Sequence, residues 1–165
     1  MRNQKKNQKE CTLYAVCNGE CAPLSTVPDE VFSSGMLGQG VAFTPADGAF
    51  VSPVSGTVVA VAETAHAYSL CTPDGVDVLV HIGVDTVSLG GEGMTALVKE
   101  GDTVKVGTPL AQVNLSRLKE KDISSVTSLI VTANEELNSP TFSYGTVKAG
   151  DTWVMKLFLS EEGKR

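Results

Sequence analysis

The chain has 165 residues, 42% of them hydrophobic and 19% charged, with a formal net charge of −6. That length suffices for one domain with its own core, unaided by disulfides or metal, and the acidic balance argues against nucleic acid and for a basic protein partner. No apolar run is long enough to insert in a membrane, and the opening Met1-Arg2-Asn3-Gln4-Lys5-Lys6 has no signal-peptide core, so a cytoplasmic location is expected.

Residues 1–10 carry Arg2, Lys5, Lys6 and Lys9 against one acid, Glu10, and read as a disordered basic tail ahead of one folded domain over residues 11–165. From Thr12 onward short apolar stretches alternate with turn signals: Asn18-Gly19, Asp47-Gly48, Ser55-Gly56, Asp74-Gly75, Gly90-Gly91, Gly101-Asp102 and Gly150-Asp151. This spacing predicts an all-β fold, an antiparallel β-sandwich or barrel-like single domain. Cys11, Cys17, Cys21 and Cys71 form no Cys-x-x-Cys pair and read as buried or half-buried thiols in strands. Helical signal is slight: one turn over Pro28-Asp29-Glu30-Val31-Phe32, and a short helix over Leu115–Lys121 with Ser116 as its N-cap. Ile123 to Ala133 and Trp153 to Leu159 read as late strands, with Trp153 packed in the core.

The centre of the chain is more informative. Residues 65–71 and 76–82 flank Thr72-Pro73-Asp74-Gly75, a turn sequence, and predict a β-hairpin. If Cys71 pairs with Val76, the only two histidines, His66 and His81, fall directly opposite each other, their Cβ atoms about 4.5–5.5 Å apart. That register puts Ala65, Ala67, Ser69 and Cys71 with Val76, Val78, Val80 and Ile82 on the core face. The histidines share the other face with Tyr68, Leu70, Leu79 and Asp77, and two opposed imidazoles away from a core point to function.

The stretches Val-Ser-Pro-Val-Ser-Gly-Thr-Val (51–58), Glu-Thr-Ala-His-Ala-Tyr-Ser (63–69), Val-His-Ile-Gly-Val-Asp-Thr-Val (80–87), Gly-Glu-Gly (91–93) and Gly-Asp-Thr-Val-Lys-Val-Gly (101–107) resemble the glucose-type enzyme IIA of the bacterial sugar phosphotransferase system. Residues 23–29 and Gly38-Gln39-Gly40-Val41-Ala42 extend the likeness. The resemblance implies a phosphotransferase component that accepts a phosphoryl group from the carrier HPr on Nε2 of His81 and passes it to a cysteine of a transporter IIB domain, without a cofactor. It implies that His66 is the partner imidazole, that Thr64 supplies the hydroxyl orienting it, that the carbonyl of Gly83 orients His81, and that Asp85 stands beside the site. It also implies a position peripheral to a membrane transporter, on a chain that is free-standing or excised from a larger one, with regulated permeases or enzymes as further partners. Val41, Tyr68, Leu79 and Ile82 are the expected docking rim, although alternation turns Ile82 away from His81. Gln39 stands where many relatives carry an acid, and Ile82 where many carry phenylalanine.

Other classes fit less of the chain. Biotinyl and lipoyl domains need a lysine at the tip of a hairpin, and residues 72–75 have none; a zinc hydrolase of the lysostaphin type needs more histidines than two. A regulatory binding module stands as the alternative, with His66 and His81 taking zinc alongside a partner's carboxylate.

Overall fold

In the computed structural model, residues 8–132 and 137–160 are described. Short alternating runs between glycine turns bury one face only by pairing and stacking, and here they form fourteen strands with every pairing antiparallel. They are β1 (Gln8–Tyr14), β2 (Gly19–Pro23), β3 (Gly38–Pro45), β4 (Ala49–Val51), β5 (Gly56–Val61), β6 (Ala67–Cys71), β7 (Asp77–His81), β8 (Met94–Ala96), β9 (Thr103–Val104), β10 (Pro109–Val113), β11 (Thr127–Thr132), β12 (Leu137–Phe142), β13 (Gly145–Val147) and β14 (Trp153–Ser160). An eight-stranded sheet, β13-β2-β3-β11-β7-β6-β5-β9, carries the middle of the fold, with three-stranded sheets β1-β14-β12 and β4-β10-β8 beside it. Among the described residues the sheets do not close into a barrel, so the architecture is the sandwich alternative.

The strand periodicity divides the large sheet into two apolar faces. Val41 and Phe43 of β3, Leu129 and Val131 of β11, and Val78 and Val80 of β7 enter the main core with Leu13, Phe50, Tyr68, Leu110 and Met155. The intervening Ala42 and Ile130 belong to a smaller cluster with Leu24, Val27, Phe32 and Val84. That cluster is completed by a 3-10 turn, Leu24–Thr26, and by helix α1, Glu30–Ser33. Four residues cannot hold a helix by themselves. Asp29 starts α1 by accepting from the Val31 N–H at 2.9 Å, and Phe32 is buried beneath it.

Several expectations change. β1 begins at Gln8, so the end of the supposed tail pairs with β14, while residues 1–7 lie outside the described residues. Helix α2 spans Leu115–Glu120, and its cap is Asn114, which accepts from the Arg117 N–H at 3.1 Å; Ser116 is already inside the first turn. The strand expected from Ile123 starts only at Thr127, Ala133 lies outside the described residues, and Cys17 sits in a bend. Trp153 is half-buried under the Lys156 ammonium, 4.4 Å from the ring centroid, and not a full core residue.

The hairpin exists with its register moved by one. Cys71 pairs with Asp77, and Ala67, not His66, is the residue opposite His81. The cause is a loop one residue longer than expected: the Thr72 N–H donates to the Val76 carbonyl at 3.0 Å, and the Val76 N–H donates back to Thr72 Oγ1 at 3.0 Å. A one-residue shift exchanges faces. Tyr68 and Leu70 are therefore core residues, whereas Ala67, Ser69 and Cys71 lie half-buried on the outer face.

Candidate functional site

Small side chains flank His81 across the outer face of the large sheet. Ala22, Ala42, Ser128, His81 and Ala67 form one row over β2, β3, β11, β7 and β6. The imidazole is the only long side chain in that row, and it is half-buried. Phe32 of α1 closes one side, its ring centroid 4.6 Å from that of His81 at an interplanar angle of 47°.

The loop after β7 fixes the tautomer. His81 Nδ1 lies 3.0 Å from the Gly83 carbonyl, which can only accept, so Nδ1 bears the hydrogen and Nε2 keeps its lone pair. Gly83 has φ +79°, and a Cβ there would meet Ser124 O at 2.8 Å and come closer still to the Thr86 methyl. Thr86 anchors this turn by donating from Oγ1 to the Ile82 carbonyl at 2.6 Å, and the Val84 N–H donates to Ser124 O at 3.0 Å.

His66 reaches the site by a break in strand geometry. Ala65 has φ +61°, a left-handed conformation uncommon for alanine, immediately before His66. The Tyr68 hydroxyl holds the Ala65 carbonyl at 2.9 Å from the core side, and the Ile82 N–H donates to His66 O at 2.7 Å. The two imidazoles then meet edge to face, centroids 5.0 Å apart and rings 83° from parallel, even though the residues are not direct cross-strand partners. Thr64 Oγ1 lies 2.5 Å from His66 Nδ1. Asp85, exposed and at φ +60°, precedes a 3-10 turn over Thr86–Leu89.

Burial holds the pKa of His81 below the ordinary histidine value, against the opposing pull of the Gly83 hydrogen bond and of the Asp29 and Asp85 carboxylates. Burial also lowers His66, aided by the neighbouring His81. Both rings are therefore neutral near pH 7. As pH falls through the ordinary value of 6.5, the unfolded chain binds these protons before the folded one does. Stability is thus full above about 6.5 and declines below it. Replacing both histidines by glutamine should flatten the melting temperature just below that pH; an unchanged slope would remove the imidazoles as its source.

The expected rim is corrected: Val41, Tyr68 and Ile82 are buried in the main core, because the shifted register and strand alternation point them inward. Leu79 remains on the site face, and the exposed apolar residues nearby in sequence are Val31, Met36 and Val87. Sequence reasoning missed Phe32 as the wall of His81 and Ser128 as its cross-strand neighbour. A turn at Phe32 was readable; its packing against β7 depends on tertiary structure. Burial pushes the thiols of Cys11, Cys17 and Cys21 up to about 11, 12 and 12, which leaves them poor nucleophiles. Among the described residues no cluster of three or more potential ligands is gathered for a metal, and no helix is long and apolar enough to cross a membrane.

Fold and site define a class: an all-β sandwich carrying two adjacent neutral imidazoles, one set to present Nε2. Residues 11–137 match the family model described as phosphoenolpyruvate-dependent sugar phosphotransferase system, EIIA 1. The chain belongs to that family. It is 39% identical over 155 residues to a glucose-specific EIIA component of Oceanobacillus iheyensis, covering 93% of this chain and 94% of the relative. It is also 45% identical over 127 residues to a glucose-specific EIICBA component of Staphylococcus saprophyticus, covering 77% of this chain and 19% of that longer protein. The solved glucose permease IIA from Mycoplasma capricolum superposes with a TM-score of 0.84 at 38% identity, over 90% of this chain and 96% of that one.

Proposed function

We propose that this chain is a phosphoryl carrier: Nε2 of His81 takes the phosphoryl group of phospho-HPr, and a cysteine of a transporter IIB domain takes it from His81. The observation that carries this reading is the Gly83 carbonyl on His81 Nδ1, which leaves Nε2 as the free nucleophile on a neutral ring. As the new Nε2–P bond forms, the N–P bond of the donor phosphohistidine breaks, and Nδ1 keeps its hydrogen on Gly83. His66 helps as a donor. With the Thr64 hydroxyl donating to its Nδ1, its own hydrogen sits on Nε2, available to a phosphoryl oxygen. Asp85 and Asp29 favour positive charge on the His81 ring while the group is attached. Among the relatives are proteins named for glucose and one named for glucosides, and some of these are EIICBA components that carry EIIA in one chain with EIIC and EIIB, which supports a IIB domain of a glucose-type transporter as the acceptor.

The test is single-turnover transfer. The phosphorylated chain, freed of HPr, is mixed with glucose and membranes holding a glucose IICB transporter, and glucose phosphate is measured. Rapid formation is expected. In His66→Gln, acceptance from HPr should persist while onward transfer slows by about 10–100-fold, since a flexible amide can still donate but holds the group less firmly in line. Loss of acceptance in His66→Gln equal to that in a His81 variant would overturn the division of roles.

A further inference from the structure

Four polar side chains are buried among the described residues: Ser52, Thr86, Thr127 and Ser128. Three direct their hydroxyls to backbone carbonyls: Ser52 to Val54 at 2.6 Å, Thr86 to Ile82 at 2.6 Å and Thr127 to Ser125 at 3.0 Å. Ser128, only 2% exposed, has no hydrogen-bond partner among the described residues. Every polar side-chain atom that is wholly out of solvent there has a partner, so the Ser128 hydroxyl retains a narrow contact with water.

The register says where that opening leads. Ser128 is directly opposite His81, on the same face, which puts their Cβ atoms about 4.5–5.5 Å apart. On its other side Ala42 offers only a methyl group, and the next row of the face holds Ile130 and Leu79, both in the apolar cluster with Phe32. None of those neighbours offers the hydroxyl a partner, whereas the imidazole lies directly across from it. In the unmodified protein that hydroxyl is left to water rather than to a protein partner, so its replacement by alanine removes no protein hydrogen bond.

We propose that Ser128 is a phosphoryl-binding residue: its Oγ–H donates to an oxygen of the phosphoryl group carried on Nε2 of His81. This rests on the carrier reading above and adds a donor from β11 to the one supplied by His66. The serine forms no covalent bond, so the balance of the transfer is unchanged. Its hydrogen bond exists only while a phosphoryl group is present, and this separates it from a structural hydroxyl.

The experiment measures two quantities for the wild type, Ser128→Ala and Ser128→Cys: the melting temperature of the unphosphorylated chain, and the equilibrium partition of phosphoryl groups between HPr and the chain, read by intact mass. Ser128→Ala should melt at the wild-type temperature or above it, yet shift the partition toward phospho-HPr by about tenfold, because a hydrogen bond to a charged oxygen is lost. Ser128→Cys, with a similar shape and a weaker donor, should fall between. An unchanged partition in Ser128→Ala, or a partition that falls only together with the melting temperature, overturns the proposal. If the wild type takes no phosphoryl group from phospho-HPr, the carrier reading fails and this one with it; a phosphorylated wild type with an unaltered Ser128→Ala partition removes this proposal alone.

Discussion

His81→Ala should lose phosphoryl acceptance by at least about 10³-fold while its melting temperature moves by only about 2–4 °C. Both halves of that expectation come from the same geometry. In the proposed mechanism the reactive atom has no substitute: there the Thr64 hydroxyl donates to His66 Nδ1 and leaves that ring a hydrogen donor, and the buried thiols are kept protonated. The fold has little to lose, since His81 sits half-buried on the outer face of β7 while Val78 and Val80 from the same strand fill the core. What disappears is the contact with Phe32 and the hydrogen bond to Gly83, whose carbonyl can then turn to water. Phosphorylation rate and thermal melting on the same preparation check this. A collapse of the fold would show instead that the ring is a packing element and that loss of acceptance says nothing about chemistry.

The second large effect is on stability. Gly83→Ala must place a Cβ at φ +79°, near Ser124 O at 2.8 Å and in collision with the Thr86 methyl, so the turn after β7 has to move. A left-handed alanine and a packed clash together cost about 2–5 kcal/mol, which lowers the melting temperature by about 5–15 °C for a chain of this size. The shift carries the Gly83 carbonyl away from Nδ1, and His81 then populates the tautomer in which Nε2 is protonated and cannot attack. Acceptance should fall at least about tenfold even at temperatures where the variant is fully folded. Melting, the phosphorylation rate and nitrogen NMR shifts of the ring separate the two consequences. Wild-type acceptance in a destabilised variant would mean that the carbonyl does not select the tautomer.

These expectations also mark how far the sequence could be read. The all-β class was legible because glycine turns and alternation repeat through most of the chain, and the two histidines were legible as a pair because a turn sequence lies between them. Their register was not. Thr72 closes the hairpin with its side chain as well as its backbone, which lengthens the loop by one residue and moves Tyr68 from the supposed surface into the core. The pair survives that error because Ala65 adopts a left-handed conformation and interrupts the alternation ahead of β6. Alanine gives no advance sign of this, as a glycine would. The same limit applies to neighbours brought by topology. Ser128 lies 47 residues beyond His81 in the sequence, and Phe32 lies 49 before it, so local pattern cannot say that the strand order β3-β11-β7 sets them around one imidazole. The expected helix cap failed for a simpler reason: Asn114 and Ser116 are both good caps, and only the backbone at Asn114, extended at ψ 94°, lets a side chain accept from the first turn.

The most direct test of the central claim is nitrogen and phosphorus NMR on the uniformly ¹⁵N-labelled chain after incubation with phosphoenolpyruvate, enzyme I and HPr. The geometry of Gly83 and His81 predicts one phosphoryl group, coupled to Nε2 of His81, with Nδ1 still protonated. Phosphorus coupled to Nδ1 of that ring, phosphorus on His66, or a chain left unmodified while HPr is phosphorylated would contradict it.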